Sequence, residues 1–287
     1  MAEKLRTISE IRLRITEMLK ECWPAEEAAA LASAIIGEYT GMGRAAQLAF
    51  GERMPDTDAA ALIEDAAARA AAGEPLQYIT GYTGFCGHRI EVSPGVLIPR
   101  PETEEMTLMI ISGNSGFSGS ATDLCTGSGC IAIALSLAFP DATVSATELS
   151  PAALETARSN INRCGAPVTL IAGDVLSDDP EHIPLCDLMV SNPPYVTMGE
   201  KKTMHRNVLD YEPHEALFVP DEDPLLYYRA IASAAALRLL PGGTLWLEVN
   251  EKFAGETAAL FSPSLYREVN VFRDIRGKER FVKAKKI

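Results

Sequence analysis

Val190-Ser191-Asn192-Pro193-Pro194-Tyr195 sets an amide, two prolines and a phenol directly after an apolar run, Leu185 to Val190. The run reads as a buried strand. The prolines end it and fix the backbone. Asn192 and Tyr195 are then held rigidly at the strand's carboxyl end, where open α/β sheets take their ligands. The Asn192 side-chain oxygen and the Pro193 carbonyl can each accept one N–H of a planar NH2 group, while the Tyr195 ring covers its flat face. That grip suits an amide or exocyclic amine nitrogen. The same residues would also serve as a proline-terminated turn.

A second signature lies upstream. Asp123-Leu124-Cys125-Thr126-Gly127-Ser128-Gly129-Cys130, followed by Ile131 to Leu135, reads as strand, tight glycine loop and helix. The glycines allow close backbone approach to a ligand, and the helix begins there with free N–H groups. The G-x-G-x-x-G dinucleotide fingerprint is absent, and no Gly-Lys-Ser/Thr follows as in a phosphate loop. A β-rich run, Ala142 to Thr147, ends at Glu148. A carboxylate about 20 residues after a glycine loop, at the end of the second strand, suits the two hydroxyls of a ribose. It suits equally an acid at a helix N-terminus, before Ser150-Pro151. A third strand, Val168 to Ala172, leads to Gly173-Asp174-Val175. Asp174 is placed to accept from an adenine amino group with Val175 packed on the ring, or is simply a turn residue. Together the pieces resemble a class I S-adenosylmethionine-dependent methyltransferase. The Asn-Pro-Pro-Tyr box narrows that to enzymes acting on an amide or exocyclic amine nitrogen.

The elements that position these groups follow from the rest of the chain. Its 287 residues suffice for about two domains, and 47% hydrophobic with 23% charged residues is an ordinary soluble balance. No apolar run is long enough to span a membrane. Met1-Ala2-Glu3-Lys4-Leu5-Arg6 lacks the apolar core of a signal peptide, so a cytoplasmic protein is expected. Cys22, Cys86, Cys125, Cys130, Cys164 and Cys186 are scattered without a C-x-x-C pair, which reads as reduced thiols and argues against a metal site. The net charge of −13 argues against a nucleic-acid substrate and for a partly basic protein partner. Local basic clusters do occur, at Lys201, Lys202, His205 and Arg206, and at Lys278, Arg280, Lys283, Lys285 and Lys286.

Residues 4 to about 72 read as helical throughout. Leu5, Ile8, Ile11, Ile15, Met18 and Leu19 share one face; Pro24 opens a second helix; Asp56-Thr57-Asp58 caps a third, which Gly73 ends. The next stretch, 74–99, reads as β-like, with strands over Leu76 to Gly81 and Phe85 to Val96. Prolines flank Arg100 and fix its backbone; the segment is either simply a helix start, with Pro101 first and acids in the first turn, or it sets Arg100 and Glu104 near the mouth of the cofactor pocket. From Ala121 onward strands alternate with helices. Strands are expected near 121–125, 142–147, 168–172, 185–190 and 243–249, helices near 129–138, 151–163 and 223–240. Pro241-Gly242-Gly243 reads as the turn into the last of those strands, and two antiparallel edge strands follow near 266–272 and 280–283.

Over nearly its whole length the chain resembles the HemK/PrmC family of release-factor glutamine N5-methyltransferases. The matching segments are Gly73 to Gly81, Gly95-Val96-Leu97-Ile98-Pro99-Arg100-Pro101-Glu102-Thr103-Glu104, Thr126 to Ala132, Ser191 to Tyr195, Tyr211-Glu212-Pro213 and Pro241-Gly242-Gly243. The resemblance implies a Rossmann-like domain with a mostly parallel seven-stranded sheet over 100–287, an N-terminal helical bundle over 1–73 that recognises a release factor, and a β-hairpin linker over 74–99. It implies a monomer that uses S-adenosyl-L-methionine, releases S-adenosyl-L-homocysteine, and methylates the glutamine of the Gly-Gly-Gln loop of class I peptide-chain release factors. No membrane or direct nucleic-acid partner and no metal are expected. Cofactor contacts are expected at Cys125, Thr126, Gly127, Ser128, Gly129, Glu148, Asp174, Val175 and Asn192. Substrate contacts are expected at Asn192, Pro193, Pro194 and Tyr195, with Asn192, Pro193 and Tyr195 catalytic. A ribosomal-protein glutamine or a nucleic-acid amine would call on the same chemistry. Two departures from the family stand out: Cys125 stands where it usually has Gly, and Glu248-Val249-Asn250-Glu251-Lys252 replaces the Gly and Gln it often has after the last core strand, so no role is carried over at those last positions.

Overall fold

The computed structural model describes residues 6–287. Two compact units emerge, one formed by the chain up to Gly81 with His205–Tyr211, the other by Tyr82–Met204 with Glu212–Ile287. Leu5 and the N-terminal run preceding it lie outside the described residues.

The first unit is helical. Helix α1 (Ile8–Leu19) opens on a reciprocal cap: the Thr7 hydroxyl accepts from the Glu10 N–H, and the Glu10 carboxylate accepts from the Thr7 N–H. Its Ile8, Ile11, Ile15 and Leu19 are buried. Helix α2 (Ala25–Thr40) follows Pro24 and ends at Gly41 in the left-handed region. Helices α3 (Arg44–Ala49) and α4 (Thr57–Ala71) complete the bundle, with the Asp56 carboxylate accepting from the Ala59 N–H at 2.7 Å. Alanines at 28, 32, 66, 67 and 70 let the helices approach around Ile15, Ile35, Ile36 and Ile63. The short helix Arg206–Tyr211 belongs to this unit, with the His205 ring stacked on Trp23 and the Tyr211 hydroxyl donating to the Ala72 carbonyl.

Leu76 to Gly81, read above as a strand, is instead the one-turn helix α5 (Leu76–Thr80). Pro75 precedes it, Gly81 closes it at φ 80°, and Ile79 packs into the helical core. Context overrides the β preference of Tyr78, Ile79 and Thr80. The hairpin lies just beyond, as β1 (Tyr82–Phe85) and β2 (His88–Glu91).

The second unit carries the sheet. Along the chain come α6 (Pro101–Gly113), β3 (Ser120–Leu124), α7 (Cys130–Ala138), β4 (Thr143–Glu148), α8 (Pro151–Cys164), β5 (Val168–Ala172) and β6 (Cys186–Ser191). Then follow the two-residue strands β7 (Val196–Thr197) and β8 (Phe218–Val219), the long strand β9 (Leu239–Glu248), and β10 (Tyr266–Arg273) with β11 (Glu279–Lys286). The seven-stranded sheet runs β10-β11-β9-β6-β3-β4-β5, parallel from β9 through β5, with β11 antiparallel to both of its neighbours, β9 and β10. Both faces are covered, so its central strands β3, β4 and β6 are buried over most of their length. Trp246 and Phe281 enter the core beneath α6 and α7, while Leu245, Leu247 and Val282 enter the opposite core, as the two-residue period of a strand requires.

Pro241-Gly242-Gly243 is not a turn before the strand but an irregularity within β9. The register with β6 jumps there from Cys186↔Leu239 to Leu188↔Thr244. A Cβ on Gly243 would stand 2.8 Å from the Asp187 carbonyl oxygen, so the close approach of the two strands requires glycine.

Candidate active site

Strand register assembles the site. Leu124 of β3 pairs with Thr147 of β4 and with Ser191 of β6; Glu148 pairs with Ala172 of β5; Ser191 pairs with Leu247 of β9. One residue beyond each of those partners, Cys125, Glu148, Asn192 and Glu248 form a row across the carboxyl edge of the sheet. Strand order reverses between β3 and β6, which is the switch point where doubly wound sheets open a crevice.

The glycine loop rises from that row. Cys125 has φ 56°, Gly127 φ 56° and Gly129 φ 83°, so three turns of the left-handed region carry the chain from β3 into α7. The family's usual glycine at the Cys125 position is explained by this backbone, since a Cβ is disfavoured there. Below the loop, Asp123 is fully buried. One carboxylate oxygen accepts from the Thr126 hydroxyl and the Ala132 N–H, tying strand, loop and helix start together. Burial pushes its carboxyl up to about 7, against the pull of those two donors. Glu148 fastens the loop's crest, accepting from the Gly127 N–H at 2.8 Å and from the Leu149 and Ser150 N–H groups at 2.9 Å each.

On the other side of the row a chain of side chains runs inward from Asn192. Its Nδ2 donates to Thr103 Oγ1 at 2.9 Å, and the Thr103 hydroxyl donates to Glu248 Oε2 at 2.6 Å. The Tyr195 hydroxyl donates to Glu248 Oε1 at 2.9 Å. Glu248 is 1% exposed, and burial raises its pKa against the opposing pull of Thr103, Tyr195 and Arg280. Burial likewise keeps the proton on Tyr195, with the neighbouring Glu248 charge adding to it. Among the described residues no donor reaches Asn192 Oδ1. The segment after the box is also held: Asn250 Nδ2 donates to the Tyr195 carbonyl and to Glu200, and β7 pairs with β8.

A cavity of about 470 Å³ opens above the row, within the range of small-molecule sites. Cys125, Thr126, Gly127, Ser128, Glu148, Asp174, Val175, Asn192 and Pro194 all line it, as do Thr103, Arg100 and Tyr227. A smaller recess adjoins it, lined by Asn192, Pro193, Tyr195, Arg100 and Leu217. Gly129 stands apart from both: its missing Cβ would touch Ala157 of α8, so this glycine serves helix packing. Glu104 also stands apart, its carboxylate accepting from the Cys86 N–H of the β1–β2 turn at 2.6 Å. Arg100 is anchored by Glu212, 2.7 Å away, whose other oxygen accepts from the Ile98 N–H.

The cavity suits S-adenosylmethionine. A Cβ built on Gly127 would meet no atom within 4 Å, so the loop presents bare backbone to open space. Glu148 and Asp174 line the cavity together with apolar Ile131, Leu149 and Val175, a partly acidic, partly apolar lining appropriate to a nucleoside.

Sequence reasoning missed Thr103 and Glu248. Thr103 lay inside a matched segment without a role. Glu248 did carry a signal, as a lone acid inside Leu245-Trp246-Leu247-Glu248-Val249 at the carboxyl end of a core strand, where a buried charge needs partners.

Residues 10–81 match the PrmC N-terminal domain, and residues 104–211 match the methyltransferase small domain. A release factor glutamine methyltransferase of Bacteroides thetaiotaomicron is 41% identical over 284 residues, 96% of this chain and 99% of that one. A protein of the same name from Flavobacterium psychrophilum is 42% identical over 73% of this chain and 75% of its own. The crystal structure of a methyltransferase from Pyrococcus furiosus, 20% identical, overlays 70% of this chain and 89% of its own with a TM-score of 0.51, a likeness of fold. With that identity sustained over almost the full length of both chains, this protein belongs to the release factor glutamine methyltransferase family.

Proposed function

We propose that this methyltransferase transfers a methyl group from S-adenosyl-L-methionine to the side-chain amide nitrogen of the glutamine in the Gly-Gly-Gln loop of class I release factors. The observation that carries the reading is the state of Asn192: its NH2 is tied to Thr103, which leaves Oδ1 to accept, and the residue lines a recess together with Pro193 and Tyr195. When bound, the cofactor supplies a methyl group on a sulfonium centre. Glu148 would accept from the ribose, Asp174 from the adenine amino group, and Val175 would pack on the ring.

An amide nitrogen is a poor nucleophile because its lone pair is delocalised into the carbonyl. Asn192 Oδ1 and the Pro193 carbonyl would accept its two N–H groups, and Tyr195 would cover the amide face. Acceptors fixed in advance favour the more pyramidal nitrogen of the transition state. Rigid placement supplies most of the remaining acceleration. Glu248 is engaged by Thr103 and Tyr195 and reaches the amide only through them.

The helical unit, expected over 1–73, would dock the release factor, and the domain from residue 100 would act on its loop as a monomer. The proposed site of action is the cytoplasm; among the described residues no helix is long and apolar enough to cross a membrane. The test is transfer of labelled methyl from S-adenosylmethionine to a purified release factor, beside the same factor with its Gly-Gly-Gln glutamine changed to alanine. Label on the first and none on the second is expected. Equal labelling of both would refute the reading, as would no label on either when the cofactor is bound.

A further inference from the structure

We infer that Glu248, acting through Thr103, is a positioning residue that fixes which way round the Asn192 amide faces and so presents an acceptor, not a donor, to the substrate. This rests on the proposed amide-nitrogen substrate.

The argument follows the direction of each proton. Both oxygens of Glu248 accept, one from Thr103 and one from Tyr195, and a threonine hydroxyl has one proton to give. The Thr103 hydroxyl donates to Glu248 Oε2 at 2.6 Å. Its oxygen is then left as an acceptor toward Asn192, 2.9 Å away. Only Nδ2 of Asn192 can satisfy it, so Oδ1 is turned to the other side. The two ends of an asparagine amide have nearly the same shape, and packing alone does not choose between them. The buried carboxyl group makes the choice, through the hydrogen bond it accepts from Thr103. A flipped Asn192 would set its NH2 against the substrate's NH2, donor against donor. The second oxygen of Glu248 accepts from Tyr195 at 2.9 Å, so one carboxylate fixes both the gripping amide and the covering ring.

Position supports the same view. Glu248 ends β9 beside Asn192, which follows β6, each one residue past the register pair Ser191↔Leu247, and Thr103 lies in the first turn of α6. The polar run is fully committed: both carboxylate oxygens, the threonine hydroxyl and the asparagine NH2 have partners. A satisfied network of this kind rigidifies its members.

Glu248→Gln keeps the volume but replaces one acceptor with a donor, which removes the constraint on Thr103. Measured on the full chain with a release factor as substrate, its kcat should fall roughly 10- to 100-fold. Affinity for S-adenosylmethionine, read by calorimetry, should stay within about threefold, because all the contacts proposed for the cofactor except Asn192 follow β3, β4 and β5. Thr103→Val should lose activity to a similar degree, and Thr103→Ser, which keeps the hydroxyl, should recover most of it. A Glu248→Gln variant with wild-type kcat overturns the proposal, and so does a Thr103→Val variant as active as Thr103→Ser. If Glu248→Gln unfolds, the Thr103 pair decides alone. If the wild-type protein methylates no amide nitrogen, the substrate reading fails and takes the proposal with it; an active wild type with indifferent variants sinks the proposal only.

Discussion

Asp123→Asn should remove a pH-dependent loss of stability that the wild-type chain carries. Asp123 is completely buried, and burial pushes its carboxyl from 3.8 to about 7 while the Thr126 hydroxyl and the Ala132 N–H oppose the shift. A raised pKa in the fold means that the folded state prefers the protonated acid. Below pH 3.8 folded and unfolded states are both protonated, and the group leaves stability unchanged. Between that value and about 7 only the unfolded chain releases its proton, so stability falls as pH rises. Above about 7 both states ionise and the loss is complete. A separation of roughly 3 units at about 1.36 kcal/mol each gives a total on the order of 4 kcal/mol, of which about 2.5 falls between pH 5 and 8. Asparagine keeps an oxygen for Thr126 and Ala132 and does not titrate. Its NH2 would occupy the place of Oδ1, which has no hydrogen-bond partner among the described residues, so the variant carries a constant offset. The slope is therefore the quantity to read. Urea unfolding of both proteins at a series of pH values should show the variant gaining about 2.5 kcal/mol on the wild type from pH 5 to 8. A difference that stays flat across that interval would refute a buried, proton-retaining Asp123.

Two further outcomes follow from the glycine loop. Glu148→Gln should weaken S-adenosylmethionine binding about 10- to 100-fold, the worth of a hydrogen bond to a charged acceptor, with calorimetry as the check; unchanged affinity would leave Glu148 as a clasp for the Gly127, Leu149 and Ser150 N–H groups alone. Cys125→Gly should be neutral or stabilising in thermal unfolding, because φ 56° disfavours a Cβ by roughly 1–2 kcal/mol. Cys125→Val should destabilise by at least about 1 kcal/mol, since a branched side chain tolerates that backbone least.

Much of this site was legible in the sequence because its parts are backbone devices. Prolines after Asn192 announce a rigid strand end, and the glycines around Ser128 announce a loop of left-handed residues. The order of strand, loop, helix and second strand then places Glu148 without any knowledge of side-chain packing. The network behind Asn192 was illegible for the opposite reason. Thr103 and Glu248 are brought to Asn192 only by the register of β9 on β6 and by α6, and no local pattern encodes a contact between residues so far apart. The misreadings have the same origin. Leu76 to Thr80 has strand-like composition, but Pro75, Gly81 and the burial of Ile79 among helices decide for α5. Pro241-Gly242-Gly243 looks like a turn, yet the need to bring β9 within reach of Asp187 makes it part of the strand. Glu104 was assigned to the pocket from its place in a charged first turn, whereas the N–H of Cys86 claims it.

The central claim is that Asn192 grips the substrate amide while the glycine loop, Glu148 and Asp174 hold the cofactor. The most direct measurement is Asn192→Ala, comparing the dissociation constant of S-adenosylmethionine with the single-turnover rate of methyl transfer to a release factor. The rate should fall by at least about 100-fold while cofactor affinity changes by no more than about fivefold, the loss of a single peripheral contact. A parallel loss of both would contradict that division of labour and make Asn192 chiefly a cofactor ligand.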